Sequence, residues 1–246
     1  MWAAKYPNER PLESSVAAWL AARLRDSAQS SEVAFRTEDG WTIYGSFRLP
    51  QTRRPQSAPG VVLVHSNLSD RHVFDQLERA LATAGFAVLN IDFRGRGKSR
   101  GKGSYFDLPP EERDKGYLDV RAAMDFLASH NDVDAGQISI VATSVGVKYG
   151  MRAASSDSRT KSLVLLGGLP ERSEIEKTSF PVLFVSNQGV PQIAEAFRES
   201  YTATKNPGSQ LLKYEGGAVG YQLFQIDENL EPLIVRWLKS QSTFAV

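Results

Sequence analysis

The chain has 246 residues, 41% of them hydrophobic, and this size and composition suit one domain with a sizeable core. Its 29 lysine and arginine residues nearly balance 28 aspartate and glutamate residues, and the net charge of +1 argues against a nucleic-acid or anionic-membrane partner. Cysteine is absent, which excludes disulfides, thiol catalysis and thiolate metal sites.

Two further absences bear on location. No apolar run reaches the roughly 18 residues that a bilayer-crossing helix needs. Met1 to Leu12 is polar, unlike the apolar centre of a signal peptide. We therefore expect a soluble protein without a membrane span, cytoplasmic by default, although a periplasmic chain that has lost its leader has the same composition.

The first 50 residues predict a helix followed by a hairpin. Ser15 to Arg25 carries apolar residues at helical spacing, so we predict that residues 1–30 form a helical extension packed on the main body. Glu32 to Leu49 alternates around Asp39-Gly40, a pattern typical of an antiparallel hairpin with a tight turn.

From Val61 onward, short apolar strands alternate with amphipathic helices. This alternation predicts a mostly parallel sheet between helices, in one domain over residues 31–246. The predicted strands are Val61–Val64, Phe86–Ile91, Gln137–Val141, Ser162–Leu166, Pro181–Val185 and Gln210–Tyr214. The predicted helices are Val73–Ala84, Tyr117–Leu127, Val145–Ala154, Gln192–Thr204 and Glu228–Lys239.

The stretch Ala142-Thr143-Ser144-Val145-Gly146 lies between a predicted strand and a predicted helix. This is the context of the G-x-S-x-G nucleophile elbow, with alanine in place of the first glycine. Such a turn strains the serine backbone, and its neighbours must be small so that helix and strand can pass closely. Ser144 is therefore the candidate nucleophile.

Four stretches together resemble the α/β-hydrolase superfamily, in particular its small serine esterases and dienelactone-hydrolase-like members. They are the elbow, Thr37 to Gly45 in the hairpin, Val64-His65-Ser66-Asn67-Leu68-Ser69, and Asp92-Phe93-Arg94-Gly95-Arg96-Gly97-Lys98-Ser99. The resemblance implies an α/β-hydrolase fold: a mostly parallel twisted sheet flanked by helices and opened by an antiparallel hairpin. Because about a dozen residues separate Leu166 from Pro181, we expect no large lid.

The resemblance also places a catalytic acid after the strand Pro181–Val185 and a histidine after the last strand. In this chain Val190 and Val219 stand at those two positions, and all three histidines precede Ser144. We expect both valines to lie near Ser144, in a degenerate triad. A serine hydroxyl is a poor nucleophile without a positioned base, so the expected state is an inactive or impaired hydrolase, that is, a pseudoenzyme.

The oxyanion hole needs no particular side chain and survives the loss of the triad. The resemblance assigns it to the backbone amides of Asn67 and Val145. With these amides and Ser144 retained, the expected partner is a small acyl or ester-like molecule. We expect no cofactor and no metal, because the histidines lack metal-ligand spacing and the glycines from Gly95 to Gly103 do not form a phosphate-binding frame. A solvated loop is the favoured interpretation of that basic, glycine-containing run.

Other residues are weaker candidates for the missing base or acid. Lys148 lies one helical turn after Ser144, and a buried lysine with a lowered pKa can act as a base, although pairing with a carboxylate is favoured. His65 is expected to brace loops by hydrogen bonding, His72 to lie at the rim of the site, and His130 to face solvent. Glu171 is an alternative acid.

Three hypotheses about function follow. The first is a degenerate hydrolase that binds a ligand or turns it over weakly. The second is an active serine esterase or acyl hydrolase with an unconventional base, such as Lys148 or a group from a partner chain. The third is a structural or protein-interaction domain. The oligomeric state stays open.

Overall fold

The computed structural model describes residues 30–50 and 57–244. The predicted N-terminal extension over residues 1–30 lies outside this part, apart from its last residue. The strands are β1 (Ser30–Arg36), β2 (Thr42–Arg48), β3 (Ala58–Val64), β4 (Ala87–Asp92), β5 (Val133–Thr143), β6 (Thr160–Leu166), β7 (Val182–Asn187) and β8 (Gln210–Tyr214). The helices are α1 (Asp75–Ala84), α2 (Pro110–Asp114), α3 (Tyr117–Ala128), α4 (Val145–Ser155), α5 (Arg172–Ile175), α6 (Pro191–Ala203), α7 (Leu223–Ile226) and α8 (Leu230–Gln241).

One sheet of eight strands runs through the described residues in the order β1-β2-β4-β3-β5-β6-β7-β8. β1 pairs with β2, and β2 with β4, in antiparallel fashion, and every other pairing is parallel. The predicted hairpin is therefore confirmed, and its turn contains Gly40 at φ 83°. The mostly parallel sheet with an opening hairpin, predicted from the alternation of elements, is confirmed as well.

The core lies in two layers, one on each face of the sheet. One layer joins strand residues such as Val62 and Ile140 to side chains of α3, α4 and α6. The other joins strand residues such as Leu63 and Val141 to side chains of α1 and α8. Every residue of β3 is consequently buried, as expected for a parallel strand covered on both faces.

The connection between β6 and β7 contains only the short helix α5 within residues 167–181. The predicted absence of a large lid is confirmed for this connection. None of the helices in the described ranges combines the length and the apolar character that a bilayer span requires.

The glycine-containing turn after β4 is a packed structural corner. The Asp92 carboxylate accepts hydrogen bonds from the Arg71 side chain at 2.7 Å and from the Lys98 amide at 3.1 Å. Gly97 has φ 44°, and a Cβ there would lie 2.1 Å from Cγ of Asp92. The turn therefore needs glycine for close packing.

The interpretation of this run as a solvated loop is wrong for Arg94. Its side chain is completely buried and donates hydrogen bonds to Asp119, at 2.8 Å from Nη2, and to Asp39, at 2.8 Å from Nη1. A buried guanidinium needs such partners because an unpaired charge is costly to remove from water. The composition of the run gave no sign of this burial.

Candidate functional site

Ser144 occupies a strained turn between β5 and α4. Its backbone has φ 56° and ψ −123°, and among the described residues it alone is a non-glycine with positive φ. A Cβ at Gly146 would lie 2.8 Å from the carbonyl oxygens of Val64 and His65, so the helix passes close to β3. This is the geometry of a nucleophile elbow, and strain of this kind costs about 1–3 kcal/mol and clusters at functional sites.

A cavity of about 160 Å³ opens beside Ser144. Its walls come from the loops after β3, β6 and β8 and from the first turn of α6. The lining residues are Ser66, Leu68, Thr143, Ser144, Gly167, Gly168, Ile193, Val219, Gly220, Tyr221 and Gln222. Within the described part of the chain, this lining contains no histidine, no carboxylate, no lysine and no arginine. The side walls are mostly apolar, and Tyr221 is the single titratable side chain apart from the serine and threonine hydroxyls.

Of the two valines of the expected degenerate triad, one lines this cavity and the other does not. Val219 is half-buried and lines it together with Ser144. Val190 directly precedes α6 and is not part of the lining, and Ile193, in the first turn of that helix, forms the wall instead. Val219, at which the resemblance places the base, is thus part of the apolar wall of the cavity.

Asn187, which the sequence analysis did not single out, connects the loop after β7 to the loop after β8, at which the resemblance places the acid and the base. It is completely buried at the end of β7. Its side-chain nitrogen donates to the carbonyl of Ala218, and its side-chain oxygen accepts from the Gly189 amide at 2.7 Å. The sequence signal that could have identified Asn187 is a polar residue at the end of an otherwise apolar strand, because a buried polar group needs hydrogen-bond partners.

The same two loops are also in direct backbone contact. A Cβ at Gly189 would lie 1.8 Å from the carbonyl oxygen of Gly216. The Gln188 amide donates to the carbonyl of Tyr214 at 2.7 Å. The backbone of the loop after β7 therefore lies directly against that of the loop after β8.

The loop after β3 is held by its own hydrogen bonds. The Ser66 hydroxyl accepts from the Leu68 amide at 3.2 Å, and the Ser66 carbonyl accepts from the Ser69 amide at 3.1 Å. Ser66 and Leu68, on either side of Asn67, line the cavity. Val145 is the first residue of α4, so its amide has no partner within the helix and lies at the positive end of the helix dipole.

His65 braces the loop after β3 by a hydrogen bond, as predicted. Its Nδ1 lies 2.6 Å from the carbonyl of Ser66, and since a carbonyl only accepts, Nδ1 carries the proton. The ring stacks on Phe93, with centroids 4.4 Å apart, and Nε2 lies 3.9 Å from the Asp92 carboxylate. Burial lowers the pKa of His65 to about 4, so the ring is neutral at physiological pH.

The neutral state of His65 predicts acid sensitivity. An unfolded histidine, with a pKa of about 6.5, takes up its proton before the folded one does. The free energy of unfolding therefore falls as the pH drops from about 6.5 to about 4. Over that window His65 contributes a loss of about 3 kcal/mol.

Chemical denaturation of wild type and His65→Asn between neutral pH and about pH 4 measures this contribution. The asparagine amide can still donate to the Ser66 carbonyl but does not titrate. Other groups titrate in the same range; for example, burial raises the pKa of Asp119 to about 6. These titrations are common to both proteins, so they cancel when the two losses of stability are subtracted. Equal losses of stability in the two proteins would show that His65 is not the titrating group.

The remaining candidate bases lie outside the cavity lining. Nζ of Lys148 lies 3.0 Å from Asp114 and 3.5 Å from Glu171, and the hydrogen bond to Asp114 is the main cause that raises the pKa of Lys148. A base needs a lowered pKa, so this pairing, which the sequence analysis favoured, argues against a role of Lys148 as base. Glu171, the alternative acid, is one of the two carboxylates that pair with Lys148.

The two other histidines have local partners. His72 is exposed and pairs with Asp75 at 3.0 Å. His130 was expected to face solvent, and its side chain is 34% exposed. One side of its ring packs against Phe47, with centroids 4.8 Å apart.

Comparison with solved structures supports the fold assignment. The chain is similar to the esterase Pf2001 of Pyrococcus furiosus, with 18% identity, a TM-score of 0.71 and coverage of 86% of this chain and 92% of the esterase. It is also similar to a dienelactone hydrolase of Anabaena variabilis, with 18% identity, a TM-score of 0.69 and coverage of 86% and 98%. At such identity these likenesses show the fold alone.

Two sequence comparisons complete the assignment. The chain is 28% identical over 178 residues to the uncharacterised protein Rv2307c of Mycobacterium tuberculosis, a stretch of 72% of this chain and 57% of that relative. A family model described as the alpha/beta hydrolase family matches residues 61–235. This span contains the elbow and every loop that lines the cavity, and it makes up most of the chain. The chain therefore belongs to the alpha/beta hydrolase family.

Proposed function

We propose that this protein is a degenerate serine hydrolase that binds a small acyl or ester-like molecule beside Ser144 without normal turnover. The observation that supports this proposal best is the cavity, whose lining joins Ser144 to the apolar side chains of Val219, Leu68 and Ile193. An apolar pocket with a few polar groups at one end is typical of a small-molecule site.

The polar end of the proposed site consists of Ser144 and the amides of Asn67 and Val145. Backbone amides at the start of a helix favour a carboxylate or a carbonyl oxygen. In this proposal they hold the oxygen of the ligand, while its hydrocarbon part contacts Val219 and Ile193.

The absence of normal turnover is proposed because no described group near Ser144 fits the role of base. Val219, where the resemblance expects the base, lines the cavity. Asn187 bonds to the backbone of Ala218, and Lys148 is paired with carboxylates. Proton transfer by a positioned base is typically worth about 10²–10⁴ in rate.

Isothermal titration with butyrate and benzoate tests the binding part of this proposal. Wild type is expected to bind both, and Val219→Asp to weaken binding by roughly tenfold or more because it places a negative charge against a carboxylate in a partly dry cavity. Ile226→Asp is the matched control, since it adds the same charge at an exposed apolar position outside the cavity lining. Equal weakening by both variants, or no binding by wild type, would favour a structural or protein-interaction role.

A further inference from the structure

We propose that the edge of the sheet at which the cavity opens is a contact surface for a bilayer with anionic headgroups. Exposed apolar side chains at this edge enter the interfacial region of the bilayer, and neighbouring cations meet its phosphates. The inference is independent of the proposed function, because it needs neither a bound ligand nor chemistry at Ser144. A peripheral contact of this kind also needs no helix that spans the bilayer.

Large apolar side chains are exposed around the mouth of the cavity. Leu68, which is 74% exposed, belongs to the cavity lining itself. The exposed Leu169 directly follows the lining residue Gly168, and the exposed Ile226 ends α7, which begins directly after the lining residue Gln222. The three side chains come from the loops after β3, β6 and β8, and the carboxyl ends of these parallel strands meet at one edge of the sheet. Exposed apolar groups that gather in this way mark an interaction surface.

Phe106 extends this surface towards the loop after β4. Its ring is 53% exposed, and the guanidinium carbon of Arg96 lies 5.8 Å from the ring centroid. Nε of Arg96 donates to the carbonyl of Ser69 at 2.9 Å, and Ser69 is the neighbour of Leu68 in the chain. Arg96 therefore joins Phe106 to the loop after β3, so that apolar and cationic groups share one face.

The loop after β4 carries a local excess of positive charge. Residues 93–106 contain five cations and no acidic residue, and the first carboxylate after them is that of Asp107. Arg94 is buried and paired with carboxylates, and Lys98 is paired with one as well. In the part of the chain that the structure describes, the other three have no carboxylate partner, and two of them donate to backbone carbonyls instead; the three are Arg96, Arg100 and Lys102.

A bilayer with anionic lipids accounts for both kinds of group. Its interfacial region accepts apolar side chains, and its phosphates attract lysine and arginine near the surface. A nucleic acid would leave the aliphatic side chains of Leu68 and Ile226 without a partner, and an apolar protein surface would leave the cations without one. The net charge of +1, on which the expectation of no anionic-membrane partner rested, averages over this local segregation.

Co-sedimentation with phospholipid vesicles at low ionic strength tests this inference. We expect wild type to bind vesicles of phosphatidylglycerol mixed with phosphatidylcholine, and to bind phosphatidylcholine alone roughly tenfold or more weakly. Binding to the mixed vesicles should fall as salt is added, because counterions screen surface charges. Equal binding to both kinds of vesicle, or binding to neither, would overturn the inference.

The charge variant is Arg100→Gln combined with Lys102→Gln, two exposed positions of the loop after β4. Each cation near an anionic surface contributes about fivefold, so the pair is expected to weaken vesicle binding by roughly tenfold or more. The matched control is Lys161→Gln combined with Lys205→Gln, which removes the same charge near the amino ends of β6 and β8. An equal loss in the two double variants would contradict a contact through the loop after β4.

The apolar variant is Phe106→Ser, which is expected to weaken vesicle binding by roughly tenfold because it removes an aromatic ring from the contact. Tyr201→Ser is the matched control, since Tyr201 is a 40% exposed aromatic residue near the end of α6, two turns beyond the cavity wall. Light scattering without vesicles adds a further outcome: dimers of wild type that Phe106→Ser abolishes would overturn the inference and assign the surface to a second copy. Benzoate titration of the same variants is expected to match wild type, so a failure to bind vesicles would leave the proposed function standing.

Discussion

Steady-state hydrolysis of p-nitrophenyl butyrate is expected to run about 10⁶-fold slower than in a serine hydrolase with an intact triad. Loss of the triad as a unit has a cost of that order, while the oxyanion hole and substrate binding retain an enhancement of roughly 10³–10⁴ over water. The proposed function puts this chain in that class, and it is supported by Val219 in the cavity lining and by the pairing of Lys148 with a carboxylate.

The pH dependence of the residual rate separates this expectation from the hypothesis of an unconventional base. Without a titrating base, the rate should rise with hydroxide concentration and show no bell-shaped profile. His65 does not provide one, because burial lowers its pKa to about 4 and it lies outside the cavity lining. A rate typical of enzymes that Ser144→Ala abolishes would favour an active esterase.

Replacing Asp119 by alanine is expected to lower the free energy of unfolding by about 3–5 kcal/mol. Asp119 and Arg94 are both completely buried, and the carboxylate accepts from Nε at 3.0 Å and from Nη2 at 2.8 Å. Asp39 remains as a partner of Arg94, but the removal of Asp119 leaves a buried guanidinium short of acceptors.

Urea denaturation of wild type and Asp119→Ala measures this loss. Asp125→Ala is the matched control, because it removes a carboxylate that also bonds an arginine, Arg159 at 2.7 Å, but at the surface. Exposed ion pairs contribute about 0–1 kcal/mol, so the control should change stability little. A loss of similar size in both variants would contradict the account of a buried charge pair.

The sequence predicted the elements with a strong repeating pattern. The apolar strands were predictable because helices cover both faces of the sheet, and the apolar stripes of the helices because one side of each helix packs on it. The elbow was predictable from small residues between a strand and a helix. The structure extends β5 back to Val133, where its pairing with β3 shifts register between Pro59 and Gly60. A register shift of this kind has no periodic signal in the sequence.

The site was less predictable because its parts lie in loops. Ser66, Leu68 and Tyr221 line the cavity, yet their positions depend on how separate loops meet. Asn187 and Arg94 are polar residues held inside by partners far away in sequence. Local composition carries no information on such long-range partners, so Arg94 was predicted to lie in a solvated loop.

A crystal structure of the protein soaked with benzoate tests the central claim most directly. The account predicts density for the carboxylate within hydrogen-bond reach of the Asn67 and Val145 amides, with the ring against Val219 and Ile193. It also predicts no imidazole or carboxylate side chain beside Oγ of Ser144. Amides that point apart, a cavity filled by a side chain, or a histidine bonded to Ser144 would contradict the account.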